Sequence, residues 1–158
     1  VTARPRLALA VLTADCVPVL LGDPETGVVS AVHAGRVGAR VGVVVAALKA
    51  MQQAGARLDR VEALLGPAAC GQCYEVPAAM QADVEEHLPG SACTTRKGTP
   101  GLDLRAGIWE QLAAAGIAKI GVDPRCTMES PELYSHRRDR GRTGRFAAVT
   151  WAEPEDAE

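Results

Sequence analysis

Residues 7–35 read LALAVLTADCVPVLLGDPETGVVSAVHAG, and this stretch decides the fold. Two apolar runs, at residues 7–22 and 28–35, flank a turn signal of Asp, Pro and Gly at residues 23–27. This pattern predicts two buried β-strands that form a hairpin. The polar segment TADC, at residues 13–16, interrupts the first strand.

The register of this hairpin determines which side chains meet at its open end. Pairing Leu21 with Val28 places Cys16 directly opposite His33, with Cβ atoms about 5 Å apart on one face. A thiol and an imidazole in that arrangement can form a thiolate–imidazolium pair or bind one metal ion together. The alternative is a small buried hydrophobe at Cys16 and a hydrogen-bonded structural histidine at His33.

Helices and strands alternate along the rest of the chain, which predicts a mixed α and β fold. A helix is expected to end at Gly55, and another to begin after an Asp103 cap. Helical patterns cover residues 39–55, 76–90 and 102–117, and strand patterns cover residues 61–67, 120–127 and 144–153.

Length and composition narrow the class of protein. The chain has 158 residues and is 47% hydrophobic, which suits a single domain, expected over residues 1–152 with a disordered acidic tail at 153–158. The net charge of −2 argues against nucleic acid and an anionic membrane as partners. No apolar run reaches about eighteen residues, and no secretory signal opens the chain.

Two further expectations follow from the five cysteines and from the first residue. An odd number of cysteines in a chain of this size indicates a reducing cytoplasm, with thiols that are free or bound to metal. The first residue is Val1, and a strand pattern follows almost at once. We therefore expect a domain that lacks its N-terminal part.

The stretch GPAACGQCYEV, residues 66–76, contains the C-x-x-C pair Cys70 and Cys73. Such a pair can be a redox disulfide, half of a zinc site, or part of a tight turn. Further along the chain, Cys93 and Cys126 are single and far apart, which weakens the zinc interpretation. We favour a turn beside the active site, with Glu75 directed into it; a helix-start turn with buried thiols remains the alternative.

A basic stretch, YSHRRDRGRTGR at residues 134–145, precedes the last strand. A nucleic-acid patch is one interpretation, but the net charge and the scarcity of aromatic residues oppose it. A phosphate site is the second interpretation, because the guanidinium of Arg137 or Arg138 would offer a fork of donors. A solvated loop paired with Asp139 or the acidic tail is the third.

Five motifs in series resemble the YfiH-like laccase-domain family, and the resemblance covers about residues 7–151. They are LTADCVPVLL at 12–21, AVHAG at 31–35, LLGPAACGQCYEV at 64–76, LDLRAGIWEQL at 102–112, and CTMESPELYSHRRDRGRTGRFAAVTW at 126–151. The resemblance implies an α+β fold of mixed sheets with flanking helices in α-β-β-α layers.

The resemblance also implies a metal-binding Cys/His site. The cysteine of TADC falls on Cys16 and the histidine of VHAG falls on His33, so both are candidate catalytic residues and metal ligands. The family's third ligand is an upstream histidine that nothing in this chain matches. Many members have HAGWRG where this chain has HAGRVG, so Arg36 is a shifted candidate for the family arginine. The resemblance favours Arg137 and Arg138 for phosphate, and Cys126 is expected only to pack.

Three functions follow as hypotheses. The resemblance implies phosphorolysis of adenosine, inosine and guanosine, with zinc-dependent adenosine deamination as a second activity. A copper-dependent polyphenol oxidase is less favoured, because the chain has only His33, His87 and His136 for several coppers. The third is a truncated protein that binds a nucleoside or a partner without turnover. The expected partners are a purine nucleoside and phosphate, with zinc before copper as the metal, and a homodimer as the assembly.

Overall fold

The computed structural model describes residues 1–153, within which eight strands and four α-helices form an α+β fold. The acidic tail predicted at residues 153–158 lies outside the described residues except for Glu153. The strands are β1 (Leu9–Thr13), β2 (Val17–Asp23), β3 (Val28–Ala34), β4 (Glu62–Leu65), β5 (Ala92–Thr94), β6 (Pro100–Leu102), β7 (Lys119–Val122) and β8 (Phe146–Thr150). The helices are α1 (Arg36–Arg40), α2 (Val43–Gln53), α3 (Ala78–His87) and α4 (Leu104–Ala114).

The central sheet has the strand order β3-β2-β4-β7. β2 pairs antiparallel with both β3 and β4, and β4 pairs parallel with β7. Val17, Val19 and Leu21 of β2 are at most 1% exposed, and Pro18 on the opposite face is buried as well. A strand covered on both faces reads as a continuous apolar run, which is why β2 stands out in the sequence.

The β2–β3 hairpin is confirmed, but its predicted register is wrong by two residues. Leu21 pairs with Ser30, and the last pair before the turn is Asp23 with Val28. The Asp23 carboxylate accepts hydrogen bonds from the N–H groups of Glu25 and Thr26, at 3.0 and 3.3 Å, and this shortens the turn to residues 24–27. A two-residue shift keeps every side chain on its predicted face.

The predicted strand over residues 7–22 divides into β1 and β2, which belong to different sheets. β1 pairs antiparallel with β8, from Leu9 with Thr150 to Thr13 with Phe146. This two-stranded ribbon packs against β2 and β3 of the central sheet. The chain passes from the ribbon into the central sheet at the TADC segment, where Asp15 has a φ of +83°.

α1 and α2 pack against β3 of the central sheet, and α4 packs against β7. The predicted helix over residues 39–55 is interrupted at Gly42, whose φ of +81° separates α1 from α2. α2 then buries Val44, Leu48 and Met51, spaced so that they share one helix face. The predicted N-cap of α4 is confirmed, because the Asp103 side chain accepts from the Ala106 N–H at 3.1 Å.

The short hairpin of β5 and β6 was not predicted. Its strands have three residues each, and β6 begins at Pro100 and contains Gly101, residues that disfavour strands. The sheets with flanking helices confirm the α+β class. Among residues 1–153, no helix combines the length and the hydropathy that crossing a bilayer requires.

Candidate active site

A cavity of about 290 Å³ opens where the TADC segment, the end of β3 and two long loops meet. One loop follows β4, and the other is the basic stretch before β8. The residues that line the cavity are Ala14, Asp15, Cys16, His33, Arg36, Ala69, Tyr74, Leu104, His136, Arg137 and Arg145. Four of the predicted site residues, Cys16, His33, Arg36 and Arg137, are among them.

Cys16 and His33 meet beside Gly35. A Cβ atom placed on Gly35 would lie 2.9 Å from the Cys16 Sγ and 3.8 Å from the His33 Nε2. Both donor atoms therefore approach one point, although His33 pairs with Pro18 in the hairpin rather than with Cys16. Burial raises the pKa of the Cys16 thiol, and the neighbouring Asp15 raises it further against a smaller lowering effect of Arg145. Without a bound cation, Cys16 is a neutral thiol at pH 7.

Asp15 holds three walls of the cavity together. Its Oδ1 accepts a hydrogen bond from the Thr127 hydroxyl at 2.6 Å, and its Oδ2 accepts from the Arg137 N–H at 2.7 Å. Its backbone carbonyl accepts from the Ala69 N–H at 3.0 Å. Aspartate tolerates a positive φ better than most residues, so this residue type suits both the bend and the contacts.

Arg137 and Tyr74 form a second wall. The Arg137 guanidinium lies 5.0 Å from the centroid of the Tyr74 ring, within cation–π range. Arg137 Nη1 donates to the Glu75 carbonyl at 3.2 Å. The Glu75 side chain does not line the cavity, and its carboxylate lies 3.9 Å from the Lys97 ammonium. Glu75 therefore contributes its backbone to this wall, rather than the carboxylate that we predicted.

Arg138, the other predicted phosphate ligand, has no N–H group left for an anion. Its Nε and one Nη2 hydrogen bond the Asp139 carboxylate, at 2.8 and 3.0 Å. Its remaining three N–H groups donate to backbone carbonyls of Thr127, Ser130 and Leu133, at 2.9–3.0 Å. All five guanidinium donors are used, so Arg138 braces the loop behind the cavity.

Sequence reasoning did not single out Tyr74, His136 or Arg145 as site residues. Tyr74 lay in a motif that we interpreted through its cysteines, and the other two lay in a basic stretch with many equivalent candidates. Three arginines and two histidines face the cavity, whereas both oxygens of the Asp15 carboxylate already accept hydrogen bonds. The cavity therefore favours an anionic ligand.

The donors near Gly35 suit zinc only in part. Thiolate and imidazole are both common zinc ligands, and catalytic zinc sites use three protein ligands with one position open. Among residues 1–153, Cys16 and His33 do not belong to any group of three or more potential metal-binding side chains with converging donor atoms. These two donors are one fewer than the three protein ligands that a catalytic zinc site uses. His87 lies elsewhere, with Nδ1 2.8 Å from the Asp83 carbonyl.

Cys70 and Cys73 lie outside the cavity. Their sulfur atoms gather with the Cys126 sulfur and a Glu129 carboxylate oxygen, and all four atoms lie within 4.8 Å of one another. Sequence spacing gave no sign of this cluster, because Cys126 and Glu129 follow β7 rather than β4.

Comparisons with known proteins identify the family. The family model described as multi-copper polyphenol oxidoreductase laccase matches residues 1–153. A purine nucleoside phosphorylase of Mycobacterium tuberculosis is 61% identical over 153 residues, covering 97% of this chain and 61% of the relative. One of Streptomyces coelicolor is 52% identical over 153 residues, covering 97% and 63%. The chain thus spans about three fifths of the length of the curated relatives that it matches.

Two solved structures share the fold of this chain. The crystal structure of YlmD from Geobacillus stearothermophilus matches with a TM-score of 0.87 at 32% identity, covering 96% of this chain and 59% of that one. That of the hypothetical protein YfiH from Bacillus licheniformis matches with a TM-score of 0.86 at 32% identity, covering 96% and 60%. The chain belongs to the multi-copper polyphenol oxidoreductase laccase family, the YfiH-like family that its motifs resemble.

Proposed function

We propose that this chain carries a purine nucleoside phosphorylase site in the cavity around Cys16 and His33. The observation that carries the proposal is the convergence of Arg36, Arg137 and Arg145 on a cavity with an apolar wall and two histidines. The relatives named purine nucleoside phosphorylase, at 52–61% identity, support the same reaction.

The arginines are proposed to bind phosphate. Guanidinium groups recognise phosphate through paired N–H donors, and a partly enclosed cavity strengthens such contacts. Among the described residues, the Glu75 carbonyl is the one acceptor bound by the Arg137 side chain, so other Arg137 N–H groups remain available. The Arg145 side chain donates to the carbonyls of Thr143 and Gly144 through Nη1 alone.

The nucleoside is proposed to lie against Tyr74 and Leu104. A phosphate oxygen forms a bond to the anomeric carbon of the ribose while the bond from that carbon to the purine nitrogen breaks. The purine leaves with the bonding electron pair and takes up a proton, for which His33 is the proposed donor. The products are ribose 1-phosphate and the free base.

A second part of the proposal concerns a zinc ion and the deamination of adenosine. In place of the proton-donor role of His33, Cys16 and His33 would hold zinc, and a zinc ion in this position would lower the pKa of a bound water, which is the chemistry that deamination of adenosine needs. Phenol oxidation through several coppers is disfavoured, because only His33 and His136 among residues 1–153 bring imidazoles to the cavity.

The test is turnover of adenosine, inosine and guanosine with and without phosphate. We expect ribose 1-phosphate and free base only when phosphate is present. Arg145→Ala should raise the KM for phosphate about tenfold, which corresponds to about 1.4 kcal/mol. Arg142→Ala is the matched control from the same loop, because Arg142 is exposed and does not line the cavity.

The other outcomes separate the alternatives. Conversion of adenosine to inosine without phosphate would support the deaminase. Nucleoside binding without any product would support the non-catalytic alternative and reject the phosphorylase. Equal effects of Arg145→Ala and Arg142→Ala would remove Arg145 from the site.

A further inference from the structure

The turn after β4 and the turn after β7 bring four potential metal ligands together. The Sγ atoms of Cys70, Cys73 and Cys126 and a carboxylate oxygen of Glu129 lie within 4.8 Å of one another. Two chain segments separated by more than fifty residues supply them. We infer that these four residues bind one zinc ion in a structural site that is distinct from the cavity, and this inference does not depend on the proposed function.

The spacing of the donors suits tetrahedral zinc. Zn–S bonds of about 2.3 Å place the sulfur atoms of a tetrahedral site slightly less than about 4 Å apart. The Cys70 Sγ lies 3.8 Å from the Glu129 Oε2, close to such a separation. A small closure of the cluster around an ion would bring the four donors to bonding distance.

Neighbouring groups already orient these ligands. The backbone N–H of Cys70 donates to the Cys126 Sγ at 3.3 Å, a contact that favours a thiolate. The Arg96 guanidinium holds the Glu129 Oε1 at 2.6 Å and leaves Oε2 directed at the Cys70 sulfur. Interactions of this kind fix ligand geometry in metal sites and tune metal affinity.

The geometry of the cluster argues against a redox pair made of two cysteines alone. The Cys126 sulfur and a Glu129 carboxylate oxygen lie within 4.8 Å of both sulfur atoms of the C-x-x-C pair. A divalent cation would bind the thiolates and the carboxylate together, and it would remove the repulsion among their negative charges.

The position of the cluster explains what the metal would do. Ala68 and Cys126 form a backbone bridge beside it, and the Thr127 N–H donates to the Ala68 carbonyl at 3.1 Å. One clamped segment continues to Tyr74, and the other continues to Arg137, so the ion would hold together two walls of the cavity. It would do so from outside the cavity, because none of its ligands lines that space.

The test is zinc content after removal of loosely bound metal, together with the spectrum of the cobalt-substituted protein. We expect Cys126→Ser to lose about one zinc ion per chain and the thiolate-to-cobalt charge-transfer absorption. Cys93→Ser is the matched control, since the Cys93 Sγ donates to the Gly71 carbonyl at 3.4 Å and lies outside the four-residue cluster. Cys16→Ser should keep the cluster's zinc and its cobalt absorption.

A second variant keeps the test decisive if Cys126→Ser does not fold. Glu129→Gln changes a partly exposed residue and should weaken zinc binding at least tenfold in a competition assay with a chromogenic chelator, while the circular dichroism spectrum stays unchanged. Equal zinc content in wild type, Cys126→Ser and Glu129→Gln would overturn the inference. So would a Cys70–Cys73 disulfide in protein purified with zinc present. Neither readout involves nucleoside turnover, so this test and that of the proposed function can fail separately.

Discussion

The cavity around Cys16 and the cluster around Cys126 use similar residues in opposite ways. At the cavity, a thiol and an imidazole face open space beside Gly35, with three arginines around them. At the cluster, three thiols and a carboxylate face one another across less than 5 Å. Catalytic metal sites keep an open position, whereas structural sites are closed by protein ligands. The space around the donors therefore separates the two proposed roles.

Removing zinc from the cluster should have the largest effect on the free energy of unfolding. With free zinc about 1,000-fold above its Kd, binding stabilises the folded state by about 4 kcal/mol, and a chelator should remove that amount from the free energy of unfolding. Denaturant titrations with zinc and with chelator measure it. Cys16→Ser should retain the difference, and Cys73→Ser should lose it. If zinc stabilises Cys16→Ser and Cys73→Ser by the same amount, the cluster is not the site through which zinc stabilises the fold.

Filling the space beside Gly35 should damage the cavity and leave the cluster intact. A Cβ atom at this position would lie 2.9 Å from the Cys16 Sγ, so Gly35→Ala must displace that side chain. We expect kcat/KM for phosphorolysis to fall about 100-fold, as small misplacements of reacting groups do. Zinc content at the cluster should not change.

Gly22→Ala is the matched control for this substitution. It lies in the same hairpin, where an added Cβ would meet only the Val29 Cγ1 at 3.8 Å, an ordinary contact. Equal losses of kcat/KM in Gly22→Ala and Gly35→Ala would show that general strain in the hairpin, rather than crowding at Cys16, is responsible.

Asp15→Asn should weaken the walls of the cavity. Asparagine tolerates the positive φ at this position, but its amide can present an acceptor to only one of the two donors, the Thr127 hydroxyl and the Arg137 N–H. Loss of one hydrogen bond to a charged group should lower the free energy of unfolding by about 2 kcal/mol, measured by denaturant titration.

An exposed carboxylate supplies the control. Asp59 pairs with Arg57, and both side chains are about 60% exposed, so Asp59→Asn should change the free energy of unfolding by less than about 0.5 kcal/mol. An effect of Asp15→Asn as small as that of Asp59→Asn would mean that Asp15 does not hold the walls together.

Per pH unit, the smallest effect is the pH dependence of stability at the cluster. In the metal-free protein the pKa of Cys73 is raised, so its contribution to stability is present below pH 9.0 and is lost as the pH rises toward 12. We expect a slope of about −1 kcal/mol per pH unit over that range. Cys70, Cys126, Glu129 and Arg96 are the titratable and charged groups around this thiol.

Zinc should remove this slope above pH 9.0 and produce a slope of the opposite sign below pH 9.0. Thiolates bound to zinc carry no protons, so the folded state binds fewer protons than the unfolded state, and stability rises with pH below pH 9.0. Unfolding curves at several pH values, with zinc and with chelator, measure both slopes. Cys73→Ser should flatten them, and slopes of the same sign in both conditions would contradict the cluster's assignment to zinc.

The fold could be predicted well where the pattern was local. The β2–β3 hairpin, α3, α4 and the Asp103 cap follow from apolar runs, turn residues and capping residues. The hairpin register could not be predicted, since the Asp23 carboxylate accepts hydrogen bonds from the turn, and two more residues of β2 join the ladder. The split between β1 and β2 escaped prediction for a similar reason, because the partner of β1 is β8 at the other end of the chain.

The candidate site was predicted in part. The motifs pointed to Cys16, His33, Arg36 and Arg137, and the structure brings these four to one cavity, although their roles remain predictions. Arg138 looked equivalent to Arg137 in the sequence. Only the fold reveals that its five donors are used by Asp139 and backbone carbonyls.

The sequence alone predicted most of the helices and strands and the chemical types of side chain available to this protein. Periodicity and turn chemistry act over a few residues, so they can be interpreted without knowing which elements pack together. The contacts of Asp15 with Thr127, and of Cys126 with Cys70 and Cys73, follow from the tertiary structure alone. Contacts between segments more than fifty residues apart depend on how sheets and loops pack, and no spacing along the chain records that geometry.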